Sequence, residues 1–410
     1  MIGHAAVASR PMSQRVLREV GFVCLGAASG AAAGVASYVF LWVLDHVTDL
    51  RLEHGWLVWL LPAGGLVIGL AYHYIGGRAA GGTALAVSEA HAYTRGSPAR
   101  MAPMILGGTL LAHLLGASVG REGTAVQMSS SLTDAGARAL RLDHDHRAQL
   151  ARAALAGGFG SVFGVPFAGV VFAMEVARRR TLRALLSAVP AAFVGDAMVG
   201  WLGHHHDAYP RVSVRWSVGA VATLVVAGPA FGLAARLFAA VVPKLKRTVA
   251  ALVVWPPIRP VMGGAATIGL IALFGRDYVG LSLPLGAHAL AGGHSDWWDP
   301  ALKMLFTVVA LGTGFVGGEV TPLFVVGATL GSVLAAPLGL PAGTLAALGL
   351  AAVFGAAAKV PLACAVMSVE LFGWGVAVPA LVVCLLARLV SGSEGIYDHP
   401  ATSTADPAPT

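Results

Sequence analysis

Long, continuous apolar stretches make up most of the chain, and polar residues are confined to short segments between them. Residues 20–44, 57–74, 218–242 and 376–390 each carry at most one charged side chain. The longer stretches suffice for a helix that crosses a hydrocarbon core of ~30 Å, which needs about 20 residues. Apolar residues are consecutive and do not alternate with polar ones, which argues against a β-barrel. The pattern predicts an all-α, polytopic membrane protein.

Helix-breaking residues interrupt these stretches often. The chain has 53 glycines and 22 prolines. In a bilayer, a broken helix is tolerated only where it is buried in protein or lines a water-filled path. We therefore predict many short, tilted and re-entrant helices in place of a simple bundle.

An internal repeat is visible in the sequence. VFGVPFAGVVFAMEV (162–176) resembles VFGAAAKVPLACAVMSVEL (353–371), and each runs through Val-Pro to a glutamate. A glycine-rich acidic motif precedes each, with Glu122 lying 53 residues before Glu175 and Glu319 lying 51 residues before Glu370. We infer two homologous halves, at about 20–200 and 213–390, and transporters built from repeats place the substrate site between them.

The organisation expected from this pattern has three parts. Residues 1–19, which contain three arginines, form a cytoplasmic N-terminal segment, and residues 20–390 form one transmembrane transport domain. Residues 391–410 form a C-terminal tail that includes Tyr397, with a disordered end. Basic residues in 177–183 and 244–247 are expected in the cytoplasm, which places the loop near 203 on the outer side.

Charge and cysteine content exclude several classes of function. The net charge of +7 comes from basic residues scattered or clustered beside apolar helices, so we expect no nucleic-acid partner. Cys24, Cys364 and Cys384 lie in apolar segments, and an odd number without paired spacing argues against disulfides or a zinc site. No phosphate-binding P-loop string is present. We expect no metal, no cofactor and no enzymatic activity.

Three glycine-rich turns open predicted helices: GGTALAV (81–87), GREGT (120–124) and GGEVTP (317–322). Glycine lets backbone N–H groups approach a small anion, and a helix N-terminus offers unpaired N–H donors at the positive end of its dipole. In the third motif, Pro322 fits the first helical turn. The turns predict an anion path through the membrane.

Glu122 is the most informative residue in these motifs. At a helix N-terminus that attracts anions, its carboxylate can occupy the anion site and leave it when protonated. The alternative is a glutamate that only complements the helix dipole, which is common in first turns.

Together, the motifs resemble those of the CLC family of chloride channels and anion/proton antiporters. The family strings GSGIP, GREGP and GGxFxP, with a late tyrosine, correspond here to residues 82–86, 120–124, 317–322 and Tyr397. The hairpin FGVPFAGVVFAMEV is similar to the family's FNAPLAGxLFxxEE. The resemblance covers about residues 20–397 and implies a CLC-type fold of two inverted-topology repeats, with Glu122 as the gate.

The departures from the family strings resemble its fluoride/proton antiporter branch. Threonine replaces serine at position 83, GREGP has become GREGT, and Val176 stands where chloride/proton antiporters carry an internal proton-accepting glutamate. The resemblance implies that Glu122 gates and couples protons, and that the anion is bound by Thr83, Glu319, Val320, Thr321 and Tyr397. It assigns the helix-opening motifs to Gly82, Gly120, Arg121, Gly123, Thr124, Gly317, Gly318 and Pro322.

The resulting hypothesis is a secondary active transporter that exports fluoride in exchange for protons. By resemblance it is a homodimer with one pathway per subunit, with contacts near 164–200 and 361–388, spanning the bacterial inner (plasma) membrane several times. The alternative on the same fold is a chloride/proton antiporter or a passive chloride channel. An intramembrane enzyme is disfavoured because His113 and Ser118, five positions apart, face different sides of a helix.

Five other features have an ordinary structural interpretation. We expect HHHD (204–207) to be a solvated loop rather than a metal site, and DHDH (143–146) to be a polar turn. Arg121 is expected to make a contact that stabilises the fold, and Met128 to pack in the core. Glu370 is expected to be the helix-end counterpart of Glu175 and to cap a helix or pair with Arg178–Arg180.

Overall fold

The computed structural model describes residues 12–178 and 181–398. The expected disorder of 399–410 falls outside them, as do Arg179 and Arg180. The described residues form sixteen α-helices and no strand beyond one isolated backbone bridge. The helices are α1 (Met12–Glu53), α2 (Leu61–Ala71), α3 (Gly82–His91), α4 (Met101–Leu115), α5 (Glu122–Ala139), α6 (His144–Phe163), α7 (Pro166–Val176), α8 (Leu182–Trp201), α9 (Val218–Leu252), α10 (Ile258–Phe274), α11 (Leu283–Leu290), α12 (Asp299–Thr313), α13 (Val320–Leu338), α14 (Ala342–Ala358), α15 (Pro361–Phe372) and α16 (Ala377–Val390). Short 3-10 or π turns cover Gly55–Leu60, Tyr72–Gly76, Gly77–Gly81 and Trp374–Val376.

The helices vary widely in length, as the glycine and proline content predicts. Within the described ranges, five stretches are long and apolar enough to cross a membrane, and several other apolar helices have only 10–17 residues. The all-α fold class is confirmed. Two helices extend into segments that were expected in the cytoplasm. Helix α1 already begins at Met12, inside the predicted N-terminal segment, and the basic residues 244–247 lie within α9.

Helices α4 to α7 recur as α12 to α15, which is the repeat seen in the sequence. Helices α4 and α12 both have 15 residues and both end at a left-handed glycine. Helices α6 and α14 also end at a left-handed residue, Gly164 in one and Lys359 in the other. In each half, a proline two positions later begins the next helix, where its missing N–H costs nothing.

The two halves cap each other's helices. At the end of α15, the Glu370 carboxylate accepts the N–H groups of Phe167 and Ala168, at 2.9 and 2.7 Å, in the first turn of α7. At the end of α7, the Glu175 carboxylate accepts the N–H groups of Leu362 and Ala363, at 3.2 and 2.9 Å, in the first turn of α15. These first-turn N–H groups have no partner within their own helix. The prediction that Glu370 caps a helix agrees with this arrangement.

Aromatic side chains from both halves form the centre of the core. Phe159 stacks on Phe172 with ring centroids 4.4 Å apart, and Phe354 lies 6.2 Å away on α14. Phe163 and Phe324 meet at 5.2 Å between α6 and α13. Aromatic pairs in such offset or tilted arrangements add about 0.5–1.5 kcal/mol beyond the area they bury. These contacts join α6 and α7 of the first half to α13 and α14 of the second half.

Candidate anion-binding site

The N-termini of α5 and α13 meet in the middle of the protein. Gly120 and Gly318 form a pair of antiparallel backbone hydrogen bonds, N–H to carbonyl, of 2.5 and 2.7 Å. Gly317, just before this pair, has a φ of +151°, which a residue with a side chain rarely adopts. The pair brings two positive helix ends from different halves to one point.

The carboxylate of Glu122 occupies this point. Its Oε2 accepts the N–H of Thr321 at 3.1 Å and the N–H of Arg121 at 3.2 Å, and its Oε1 accepts the Thr321 hydroxyl. Thr321 lies in the first turn of α13, and Glu122 is only 1% exposed. The side chain that opens one helix therefore supplies the anion that satisfies the first-turn donors of another.

Arg121 accompanies Glu122. Its Nε lies 3.4 Å from Glu122 Oε1, an ion pair that lacks hydrogen-bond geometry. Within a membrane, a carboxylate paired in this way is far less costly than an isolated one. Arg121 therefore places a positive charge directly beside the Glu122 carboxylate.

The first glycine-rich opening, GGTALAV at the start of α3, adjoins the same region. Thr83 in its first turn accepts a hydrogen bond from Gln127 Nε2 at 3.0 Å, and both side chains are buried. A Cβ atom on Gly123 would lie 2.9 Å from Thr83 Oγ1 and 3.0 Å from Gly318 Cα. Only glycine at position 123 lets the ends of α3, α5 and α13 approach this closely.

A cavity of about 690 Å³ reaches Glu122 from one side. Arg121, Glu122, Thr321, Phe163 and Phe324 contribute to its lining, together with residues 207–210 of the α8–α9 loop. Most of the remaining lining is apolar. We call it the outer cavity, after the side predicted for that loop.

A second cavity, of about 360 Å³, lies between α3, the end of α7 and the segment that follows α16. Its lining includes Ala84 next to Thr83, and also Glu175, Lys359 and Tyr397. Tyr397 is 9% exposed, and its neighbour Ile396 donates its N–H to the Ala357 carbonyl at 3.0 Å. We call it the inner cavity.

The other predicted residues of the third motif surround the helix end. Glu319 is the N-cap of α13, and its half-buried side chain lies within electrostatic range of Glu122 and of Lys246 on α9. Val320 is 2% exposed and packs into the main core. A Cβ on Gly120 would lie 2.9 Å from Pro322 Cδ.

Thr124 faces away from this point. Its hydroxyl lies 2.8 Å from that of Thr109 on α4. It joins two helices of the first half.

Comparisons with known proteins agree with this geometry. Residues 64–392 match the model of the family described as "Voltage gated chloride channel". The chain belongs to this family. The CLC resemblance inferred from the motifs is confirmed, and the protein is an integral membrane protein of this family.

Three members of the family illustrate the range of similarity. A "Chloride/fluoride channel protein" of Pseudomonas syringae pv. tomato is 43% identical over 97% of this chain and 90% of its own length. An "H(+)/Cl(-) exchange transporter" of Vibrio parahaemolyticus is 25% identical over 73% of this chain and 69% of its own length. The crystal structure of a CLC-type fluoride/proton antiporter superposes with a TM-score of 0.89 at 31% identity, covering 92% of this chain and 97% of that one.

Sequence reasoning missed two buried polar residues near the candidate site. Gln127 was not singled out, although an amide in a membrane helix usually indicates a buried partner. Lys303 on α12 is fully buried and donates to the hydroxyls of Ser118 and Ser282, both at 2.9 Å, and to the Gly280 carbonyl at 2.7 Å. Ser118 lies two positions before Gly120, the first residue of the GREGT turn, so Lys303 fixes the approach to that turn.

Other candidate features have structural roles. Asp143 caps α6 by accepting the His146 N–H at 2.9 Å, so DHDH begins a helix. Met128 packs in an apolar cluster. His113 Nδ1 lies 2.8 Å from the Thr109 carbonyl oxygen rather than beside Ser118. No group of three or more potential metal ligands occurs in the described residues.

Proposed function

We propose that the protein exports fluoride from the cell in exchange for protons, with Glu122 as both gate and proton carrier. The observation that carries the proposal is the Glu122 carboxylate bound at the N-terminus of α13. That is where a permeant anion would find unpaired N–H donors. The likeness to a CLC-type fluoride/proton antiporter supports fluoride as the anion.

Anion and gate compete for one position in this scheme. Two negative charges cannot share a low-dielectric site without a large repulsion, so fluoride displaces the carboxylate or is displaced by it. Protonation removes the charge of Glu122, weakens its hold on α13 and lets the neutral side chain move. Each excursion carries one proton, and fluoride takes the vacated donors.

Fluoride requires short, strong hydrogen bonds to replace its hydration shell. The proposed donors are the hydroxyls of Thr83, Thr321 and Tyr397 and the backbone N–H groups near Glu319 and Val320. The glycines at 82, 120, 123, 317 and 318 let these donors converge. Val320 limits the width of the site.

We further propose a multi-pass position in a bacterial inner (plasma) membrane, with the α8–α9 loop outside. Residues 20–390 act as one transport domain, between a cytoplasmic N-terminal segment and the tail from 391. Two copies form a homodimer through parts of 164–200 and 361–388. Exposed apolar side chains in these segments, such as Val189, Phe193, Val378 and Leu385, suit that contact.

The experiment is anion efflux from proteoliposomes, followed with fluoride- and chloride-selective electrodes while internal pH is recorded. Fluoride-loaded vesicles should empty much faster than chloride-loaded ones and should take up protons as they do so. The names of the relatives support a second candidate, a chloride/proton antiporter or a chloride channel. Chloride efflux with proton uptake would support the antiporter, and anion efflux without proton movement would support the channel.

A further inference from the structure

Two histidines of the loop that joins α8 to α9 face carboxylates of the first half of the protein. His204 Nδ1 lies 3.9 Å from Asp45 Oδ2 on α1, and His206 Nε2 lies 3.7 Å from Asp196 Oδ1 on α8. Both histidine side chains are less than a quarter exposed, whereas His205 and Asp207 are exposed. The HHHD motif is therefore a loop with two exposed and two partly covered side chains.

The same loop is attached to the second half just beyond this motif. The N–H of Val212 donates to the Phe372 carbonyl at the end of α15, at 3.0 Å. The Tyr209 ring packs edge-on against the Phe372 ring, with centroids 5.5 Å apart. Residues 207–210, which include Tyr209, form part of the wall of the outer cavity.

Asp207 stands out in this segment. Among the described residues that line the outer cavity, Asp207 and Glu122 are the two carboxylates. Asp207 is exposed to water, whereas Glu122 is 1% exposed. The cavity thus has an accessible acid in its wall and a buried one at the helix junction.

We propose that Asp207 collects protons from the outer solution and delivers them to Glu122. The proposal rests on the exchange of fluoride for protons described above. An acid in the outer solution gives its proton to the Asp207 carboxylate. The proton then passes through water in the cavity to the Glu122 carboxylate, and Asp207 is left ionised for the next cycle.

The physical reason is the scarcity of free protons near neutral pH. A carboxylate in the wall of a cavity attracts cations, including acidic buffer species. A negative charge in a cleft with low-dielectric walls raises the arrival rate of cations by roughly 10- to 1,000-fold. A cavity of about 690 Å³ is also large enough for a chain of water molecules.

Several charged and titratable groups surround Asp207 and contribute to any pH dependence, so the variants must leave them unchanged. They come from its own loop, from α1, from the start of α5 and from α8. They are His204, His205, His206, Tyr209, Asp45, Asp49, Arg121, Glu122 and Asp196. Changing Asp207 alone leaves all of them in place.

The experiment compares wild-type protein with the Asp207→Asn and Asp207→Glu variants in fluoride-loaded liposomes. The initial rate of proton uptake is measured at alkaline outer pH, in low and in high concentrations of a small mobile buffer. In low buffer, Asp207→Asn should take up protons about tenfold more slowly than wild type. High buffer should restore its rate, because buffer acid then reaches Glu122 directly, and Asp207→Glu should resemble wild type throughout.

Asp277→Asn is the matched control, since Asp277 is exposed in the loop after α10 and does not line the cavity. It should resemble wild type. A normal rate for Asp207→Asn in low buffer would overturn the proposal. A deficit that high buffer does not relieve would also overturn it and indicate a structural role for the loop. Absence of coupled exchange in the wild type would overturn both this inference and the proposed function. If the wild type does exchange fluoride for protons, a failure of the Asp207 variants to behave as described would overturn this inference alone.

Discussion

Replacing Glu122 by glutamine removes one negative charge from the N-terminus of α13 and preserves the shape of the side chain. The carboxylate accepts three hydrogen bonds, two from Thr321 and one from the Arg121 N–H. A hydrogen bond to a charged acceptor contributes about 1.5–3 kcal/mol, against about 0.5–1.5 kcal/mol for a neutral one. Over three bonds the loss is about 3 kcal/mol. The equilibrium constant for the side chain to stay bound at the N-terminus of α13 should therefore fall by about 100-fold.

The glutamine side chain also has no proton to carry. Proton uptake driven by a fluoride gradient should therefore fall to the level of protein-free liposomes. Any fluoride efflux that persists should be uncoupled and insensitive to pH. The assay records fluoride with an electrode and internal pH with an entrapped dye in the same vesicles.

Glu370→Gln is the appropriate control for this experiment. Glu370 is also a helix-end carboxylate that accepts N–H groups from another helix, but it lines neither cavity. It should lower thermal stability and keep proton coupling. Proton uptake at the wild-type rate by Glu122→Gln would refute the coupling role and leave Glu122 as a complement to a helix dipole.

Three further predictions follow from the same geometry. Val320→Gly should widen the site and reduce fluoride-over-chloride selectivity by about tenfold or more, measured as an efflux ratio, and an unchanged ratio would contradict a role for Val320. Gly123→Ala should lower the free energy of unfolding by about 1–3 kcal/mol and slow transport. Gly136→Ala on the same helix, where no atom lies within 4 Å of the new Cβ, should do neither, and equal effects of the two substitutions would refute the close-approach argument. Glu370→Ala should destabilise the protein by about 1–2 kcal/mol in detergent unfolding, and unchanged stability would show that the caps between halves contribute little.

Local sequence was sufficient to predict where the site helices begin. Each opening depends on glycine, threonine, glutamate or proline within a few consecutive positions, and backbone geometry there is set by those residues themselves. The repeat was also visible, because the same local hairpin occurs twice at nearly equal spacing. The helix starts and the repeated hairpin can both be recognised from residues that are close together in the sequence.

The partners of those residues could not be predicted in the same way. Thr321 lies 199 positions from Glu122, and Phe167 lies 203 positions from Glu370. Such contacts depend on how two halves are placed against each other, which no local pattern encodes. The α8–α9 loop is a similar case, since His204 and His206 acquire carboxylate neighbours only when Asp45 and Asp196 are brought to them.

The backbone pair between Gly120 and Gly318 limits how this protein can move. A carrier that alternates access by rocking one half against the other would have to break both hydrogen bonds, inside a membrane where water cannot replace them. The pair fastens the two halves at the proposed anion site. Motion there is then confined to side chains such as Glu122, whose hydrogen bonds to Thr321 and Arg121 must break in each proposed cycle. Turnover should therefore depend more on the protonation of Glu122 than on movement of one half against the other.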